Sequence, residues 1–268
     1  MNKELVDNRF KLSFIGAFGI IIVYYVLIAG IINLPFAIFS ELFNNIQVLQ
    51  AAVIFVGNLI SYAITIKLIL RRIRKKNKSN FKISFIHKFN FKILLCTVLL
   101  IIGYFLWFQS SLGMLIQKIP IPQYVNDAFE TLAINDYSFI ATAVIIAPIF
   151  EEILMRGLIL EGFLNKYKPV TAIIASAFIF GLIHLNIPQF INAFFLGLIL
   201  ALIYYKTRSL ILCICAHILN NSIAIFSAYM KLEYIILIFF IGMIIFIAAG
   251  KYLLKQIYKS QKVEEVNI

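Results

Sequence analysis

The chain predicts an all-α fold, a polytopic membrane helical bundle of about eight transmembrane helices with both termini cytoplasmic. Three observations carry that expectation. The first is composition: 62% of the 268 residues are hydrophobic, only 13% are charged, and the mean hydropathy is +0.96, whereas soluble domains average roughly 25% charged and 45–50% apolar residues. The second is run length. A span needs about 20 consecutive apolar residues, and breaker residues divide the chain into such runs at 12–33, 46–70, 93–117, 138–162, 170–187, 189–205, 209–229 and 233–250. The third is the placement of charge. With the N-terminus inside, only Lys118 and Lys231 of the 24 Lys and Arg residues fall in outside loops, as the excess of Lys and Arg in cytoplasmic loops requires.

Each segment has its own reading. The first apolar run is longer than the 7–15 residues of a signal-peptide core and lacks an A-x-A-like cleavage site, so it is expected to stay as span one. The 71–92 stretch is a basic cytoplasmic loop. Its Phe81, Phe85, Ile86, Phe89 and Phe91 suit it equally to solvated topology retention or to lying on an anionic inner leaflet. His87 there is a headgroup-level residue without chemistry. Pro120 and Pro122 mark the loop after span three. The cysteines, Cys96, Cys213 and Cys215, all fall in apolar spans; Cys213 and Cys215 are two apart on a helix and point to different faces, so no disulfide is expected. The net charge of +12 follows the membrane orientation and implies no nucleic-acid partner. The whole of 1–268 reads as a single membrane domain, multi-pass in the cell membrane, whose partners are the lipid bilayer and whatever the polar residues below act on.

Those polar residues lie in the second half of the chain. Glu151 and Glu152 interrupt an otherwise apolar span, with Arg156 close behind. A carboxylate at bilayer depth costs roughly 2.5–3.5 kcal/mol even on lenient scales, so such residues mark a functional site by default. Glu152 and Arg156 are i,i+4 with acid before base, a favourable pair on one face. Glu151 lies about 100° around the helix, so one carboxylate can be neutralised while the other is left for work. A buried structural ion cluster is the competing explanation. Phe180 and His184 are i,i+4 in the next span. His217 and Asn221 are i,i+4 in another, with Asn220 facing away. Each of these taken alone is equally explained as interhelical hydrogen bonding, which is also the reading for Asn58, Thr142 and Asn192.

Taken together, a carboxylate, two imidazoles and an amide on three helices are the parts of a hydrolytic site. Glu can take a proton from water with help from His, and a second His and an Asn can donate to a developing oxyanion. Glu plus two His can alternatively ligate a divalent metal with an open water position. HExxH, GxSxG and GxGD patterns are all lacking, which excludes the common zinc-protease helix and the usual serine and aspartyl alternatives.

The three patterns, Glu151-Glu152…Arg156, Phe180…His184 and His217…Asn221, resemble in order the EExxxR, FxxxH and HxxxN motifs of the CAAX protease and bacteriocin-processing (CPBP, Abi) family of intramembrane proteases. The resemblance covers about 139–225, the expected catalytic core. It implies an endopeptidase in which Glu151 activates water with His184, His217 and Asn221 form the oxyanion site, and Glu152 and Arg156 hold Glu151 in place, with Phe180 supporting. A divalent metal such as zinc on Glu151, His184 and His217 is compatible with the family. The lack of a cysteine or further carboxylate near the motifs that would complete a four-ligand metal site favours glutamate-activated water without a certain cofactor. The implied substrate is a peptide or protein in or near the membrane. The Ile-, Lys-, Asn- and Phe-rich composition suggests a low-GC bacterium, where pheromone or bacteriocin processing, self-immunity or regulator turnover is more plausible than trimming of prenylated CAAX proteins. A non-catalytic immunity or peptide-binding protein is the alternative. An ion-coupled transporter is disfavoured, because the inverted repeats and paired broken helices expected of that class are not seen. At 1.5 Å per residue, Glu151 and His217 fall about 16 and 12 Å from the inner ends of their spans and His184 about 21 Å, a mismatch in depth that the fold has to close.

Overall fold

The structure, a computed structural model, describes residues 10–43, 45–77, 81, 83, 85, 90–123, 141–227 and 235–266. They form eight helices: α1 Phe14–Phe43, α2 Gln47–Asn77, α3 Phe91–Ile116, α4 141–164, α5 Pro169–Leu182, α6 Ile187–Thr207, α7 Leu210–Ser227 and α8 Ile235–Val266. There is no strand among the described residues. The helices match the eight expected spans one to one, and five of them, α1, α2, α3, α6 and α8, are long and apolar enough to cross a membrane. Helix α4 carries Glu151, Glu152, Arg156 and Glu161, and α5 and α7 are shorter apolar helices.

Local chemistry sets the boundaries. The Ser13 hydroxyl accepts from the Gly16 N–H (3.1 Å) to start α1, and Asn90 Oδ1 accepts from the Ile93 N–H (2.8 Å) to start α3; each satisfies an amide left without a partner at a helix start. Pro169 opens α5 at a position where its missing N–H costs nothing. Asn186 caps α6 through the Gln189 N–H at 2.9 Å. Arg208, at φ 52°, closes α6 with its N–H on the Tyr204 carbonyl (2.7 Å), the left-handed end that usually falls to glycine.

Four expectations change. Helix α8 runs past its expected end at 250 to Val266. Helix α2 continues through the first part of the supposed 71–92 loop to Asn77, because Arg and Lys are good helix formers and suit a helix C-terminus; Phe91 and Lys92 already belong to α3. Most of the rest of that loop, His87 included, lies outside the described residues. Helix α1 runs ten residues past its expected end at 33 despite Pro35, which the membrane tolerates better than water does. Helix α5 ends at Leu182 rather than 187. Ile183 and His184 form a turn, with the His184 N–H on the Gly181 carbonyl (3.1 Å), and Leu185 follows at φ 58°. The Asn186 cap starts the next helix so soon that the chain must reverse there.

Helix α4 lies at the centre. Leu154, Met155, Leu158, Ile159, Leu160 and Phe163 are fully buried, and a helix that is apolar all round belongs inside a bundle. It packs against α5, α6 and α7. Its later end is tied down by hydrogen bonds. The Gly162 carbonyl accepts from the Leu12 N–H (3.0 Å), and Asn165 Nδ2 donates to the Phe10 carbonyl (3.1 Å). Glu161 Oε2 accepts from Arg208 Nη1 (2.6 Å) and the Tyr204 hydroxyl (3.0 Å).

The outer contacts rely on small residues, as expected where lipid removes the hydrophobic drive between helices. Helices α3 and α8 meet reciprocally. A Cβ at Gly103 would strike the Phe246 backbone nitrogen, and one at Gly242 would lie 2.5 Å from the Trp107 backbone nitrogen. Helices α1 and α2 meet at Gly57, where a Cβ would sit 2.6 Å from Phe36 Cβ, and Ser61 donates to the Ala29 carbonyl at 3.0 Å. Asn192 does act between helices: its carbonyl and Oδ1 accept from the Tyr104 hydroxyl at 3.2 and 3.1 Å. The three cysteines are free thiols.

The glycine contacts generate a contrast. Gly103→Leu should lower stability by at least about 1–3 kcal/mol, the usual cost of overpacking, because the obstacle is backbone. Gly30→Leu, with nothing within 4 Å of the added Cβ, should leave it unchanged. Thermal unfolding of both variants in one detergent checks this; equal midpoints would refute the close α3–α8 approach.

Candidate active site

A single carboxylate organises the polar residues. Glu152 is fully buried on α4. Its Oε1 accepts from Arg156 Nη1 at 2.6 Å and from His217 Nδ1 at 2.8 Å. Arg156 uses Nη2 to donate to the Gly197 carbonyl on α6 at 3.1 Å. Its guanidinium also lies 4.8 Å from the centre of the Phe180 ring, within the range of a cation–π contact. One turn of α4 thus binds α5 through a ring, α6 through a backbone carbonyl and α7 through an imidazole. The stretch Ile153–Leu160, which begins immediately after Glu152, is π-helical, a wider winding that recurs at functional sites.

Phe180 is the hub of the aromatic contacts. Its ring meets His184 edge-on at 5.3 Å and His217 edge-on at 5.6 Å, geometries that a ring quadrupole favours. Despite the expected mismatch in depth, His184, in the turn after α5, shares one phenyl ring with His217. Phe180 and His184 lie on one side as their i,i+4 spacing suggested, although His184 itself falls just past the end of the helix. His184 Nδ1 lies 2.9 Å from the Phe180 carbonyl. A carbonyl only accepts, so Nδ1 carries the hydrogen and Nε2 keeps the lone pair in the neutral ring.

Glu151 differs from its neighbour. It retains 15% exposure where Glu152 has none, and its Oε2 lies 3.8 Å from His217 Nε2. Since Nδ1 of His217 faces Glu152, its Nε2 is the atom turned toward Glu151. The gap is too long for a direct hydrogen bond. Among the described residues, Glu152 and Arg156 bond to His217, Gly197 and each other and not to Glu151. They position His217, whereas the resemblance implied that they hold Glu151.

Asn221 Nδ2 donates to the Ala143 carbonyl on α4 at 3.0 Å, and Asn220 Nδ2 to Asn221 Oδ1 at 3.3 Å. One Asn221 amide hydrogen is thereby used to fix α7 on α4 and the second is left over. Asn220, expected to face away, is buried. Among the described residues no three of His, Cys, Asp and Glu gather as a metal-binding group. Nδ1 of His217 is taken by Glu152 and Nδ1 of His184 by the Phe180 carbonyl, which leaves Nε2 of each ring as the atom that would hold a divalent metal together with Glu151.

Three residues escaped the sequence reading. Phe150, just before Glu151, stacks on Tyr62 (4.1 Å, 12°) and Tyr25 (5.9 Å, 15°), and both phenols lie within the electrostatic reach of Glu151. They come from α1 and α2, far from the motifs, and the only signal was a phenol inside an apolar span.

Residues 133–223 match the family model described as type II CAAX prenyl endopeptidase Rce1-like, a region that contains all the motif positions from Glu151 to Asn221. The resemblance read from the motifs is thus shown for that region, and at family level it is that of a CAAX-type endopeptidase of the membrane. No curated protein and no solved structure matches the chain.

Removing Arg156 should expose how much rests on Glu152. Arg156→Ala leaves a buried carboxylate without its cation, a loss of about 3–5 kcal/mol. Arg156→Lys should recover little, because one ammonium cannot serve Glu152, the Gly197 carbonyl and the Phe180 face together. Unfolding midpoints of the two variants against the parent provide the check; a fully stable Arg156→Lys protein would contradict this account.

Proposed function

We propose that this protein is an intramembrane endopeptidase that hydrolyses peptide bonds of membrane-associated peptides or proteins with a water activated by Glu151. The observation that carries the reading is the facing pair of Glu151 Oε2 and His217 Nε2, 3.8 Å apart, with His217 held from behind by the buried Glu152–Arg156 pair. A carboxylate with some access to solvent next to one that has none is a division of labour: one can exchange protons, the other fixes geometry.

The steps follow from the donors and acceptors. Glu151 takes a proton from the water as its oxygen attacks the peptide carbonyl carbon, and His184 supports that water through Nε2. The carbonyl oxygen gains negative charge. In its doubly protonated form His217 donates Nδ1–H to Glu152 and Nε2–H to that oxygen, and Asn221 offers its remaining amide hydrogen. Collapse of the tetrahedral species breaks the C–N bond, and the protonated Glu151 returns its proton to the leaving amine. Donors of this kind act most strongly where water is excluded, and His217 is buried. No step is routed through a metal.

The substrate class is a peptide segment at or in the bilayer, in keeping with the stacked Tyr25, Tyr62 and Phe150 rings beside Glu151. Processing of a peptide pheromone or bacteriocin, self-immunity or turnover of a membrane regulator all fit that class.

Glu151→Gln keeps shape and removes the base. Release of peptides from native membranes should fall by about 10²–10⁴-fold, with the unfolding midpoint unchanged, as read by mass spectrometry of the released fraction. An unaltered peptide set with the cellular phenotype intact would instead assign the site to peptide binding or immunity.

A further inference from the structure

A second site lies at the opposite side of the N-terminal helix from Tyr25. Where α1 begins and α2 ends, the two enclose a cavity of about 340 Å³, within the size range of small-molecule sites. Its wall is apolar, with Leu12, Ile20, Ile69 and Ile73 among the lining residues, and its basic lining residues are Lys11, Arg72 and Lys76. Among the described residues, none that lines it is acidic. Residues 69, 72, 73 and 76 recur at helical spacing, so α2 presents one face that is apolar deeper in the span and basic at its end.

The cavity is held in place. Phe10 is buried against Phe81 with ring centres 5.1 Å apart. The backbone on either side of Lys11 is bonded to the end of α4, through Asn165 on the Phe10 carbonyl and the Leu12 N–H on Gly162. Arg72 lies over the Tyr24 ring at 5.8 Å, with Nη1 3.5 Å from the Tyr24 hydroxyl. Two further features identify what fits. Ile15 and Val23, at the cavity edge, are exposed, so the cavity opens sideways where hydrocarbon would lie. Gly19 lines it too, and a Cβ there would meet nothing within 4 Å, which leaves unfilled space along α1.

We propose that this cavity binds one anionic phospholipid, with the phosphate among Arg72, Lys76 and Lys11 and an acyl chain running down the Gly19 side past Ile15 and Val23. The basic lining matches the charge of the phosphate, and the sideways opening admits a chain that a soluble anion lacks. The site lies at the end of the Val48–Lys76 span, the level of a bilayer headgroup. Because the same N-terminal segment is bonded to the end of α4, occupancy ties the central helix to the membrane surface. The proposal is independent of the proteolytic reading.

The experiment follows the unfolding midpoint of the purified full chain in neutral detergent. Short-chain phosphatidylglycerol, short-chain phosphatidylcholine, glycerol 3-phosphate and a soluble acidic peptide are titrated separately. Phosphatidylglycerol alone should raise the midpoint. Arg72→Ala/Lys76→Ala should weaken that response, roughly fivefold in apparent affinity for each basic side chain removed. Gly19→Leu should abolish it by filling the cavity, with the midpoint of the lipid-free protein not lowered. Arg71→Ala/Lys75→Ala, which removes equal charge from outside the lining, should respond as the parent does. The proposal is overturned by an equal loss in that control pair, by a full response in Gly19→Leu, or by an equal shift from glycerol 3-phosphate or the acidic peptide.

Discussion

The architecture of the second half depends on one oxygen, Oε1 of Glu152, which accepts from Arg156 and His217 together. In the interior of a bundle such an ion cannot be left alone. Its burial is tolerable only because two charge-capable donors converge on it. Each donor then transmits the constraint: Arg156 to the Gly197 backbone and the Phe180 ring, His217 to Glu151 and the Phe180 edge. Four helices are placed relative to one another by the solvation needs of a single carboxylate.

The rest of the bundle is held differently. Around α3 and α8 and around α1 and α2, the helices approach through glycines, with a few hydroxyl and amide bonds such as Ser61 to Ala29 and Tyr104 to Asn192. Glycine contacts are tolerant of small shifts, whereas charge-assisted bonds are directional. Precision is therefore concentrated at the centre, where the chemistry needs it, and the periphery follows shape.

Much of this was legible in the sequence, and the reasons for the remainder are physical. Hydropathy located all eight helices, because in lipid a helix must satisfy its own backbone. The acid-before-base spacing located the Glu152–Arg156 pair, because that contact is local. What spacing could not give was the partner of a helix: that Glu152 would serve His217, that Asn221 would reach Ala143, or that Phe150 would find Tyr25 and Tyr62. His184 was misplaced on a helix because the Asn186 cap overrides the apolar run before it. The extent of α2 and α8 was underestimated because hydropathy reports where a membrane ends, and a helix of Lys and Arg does not stop there.

Helix α4 is bonded at both ends: to α7 through Ala143, and to the N-terminal segment and the α6–α7 corner through Gly162, Asn165 and Glu161. A shift of α4 along its axis would break these directional bonds at once. On its Glu151 side Phe150 stacks on Tyr25 and Tyr62, rings that slide over one another at small cost. Helix α4 is a stator. For the proposed reaction, a gate that admits a polypeptide chain to Glu151 opens most cheaply by a swing of α1 and α2 across Phe150 about the Phe10 and Leu12 bonds to the end of α4. On the proposed proteolytic reading, admission and bond cleavage then reside in different halves of the chain, and substitutions in α1 and α2 would retune which chains enter without touching Glu151 or His217.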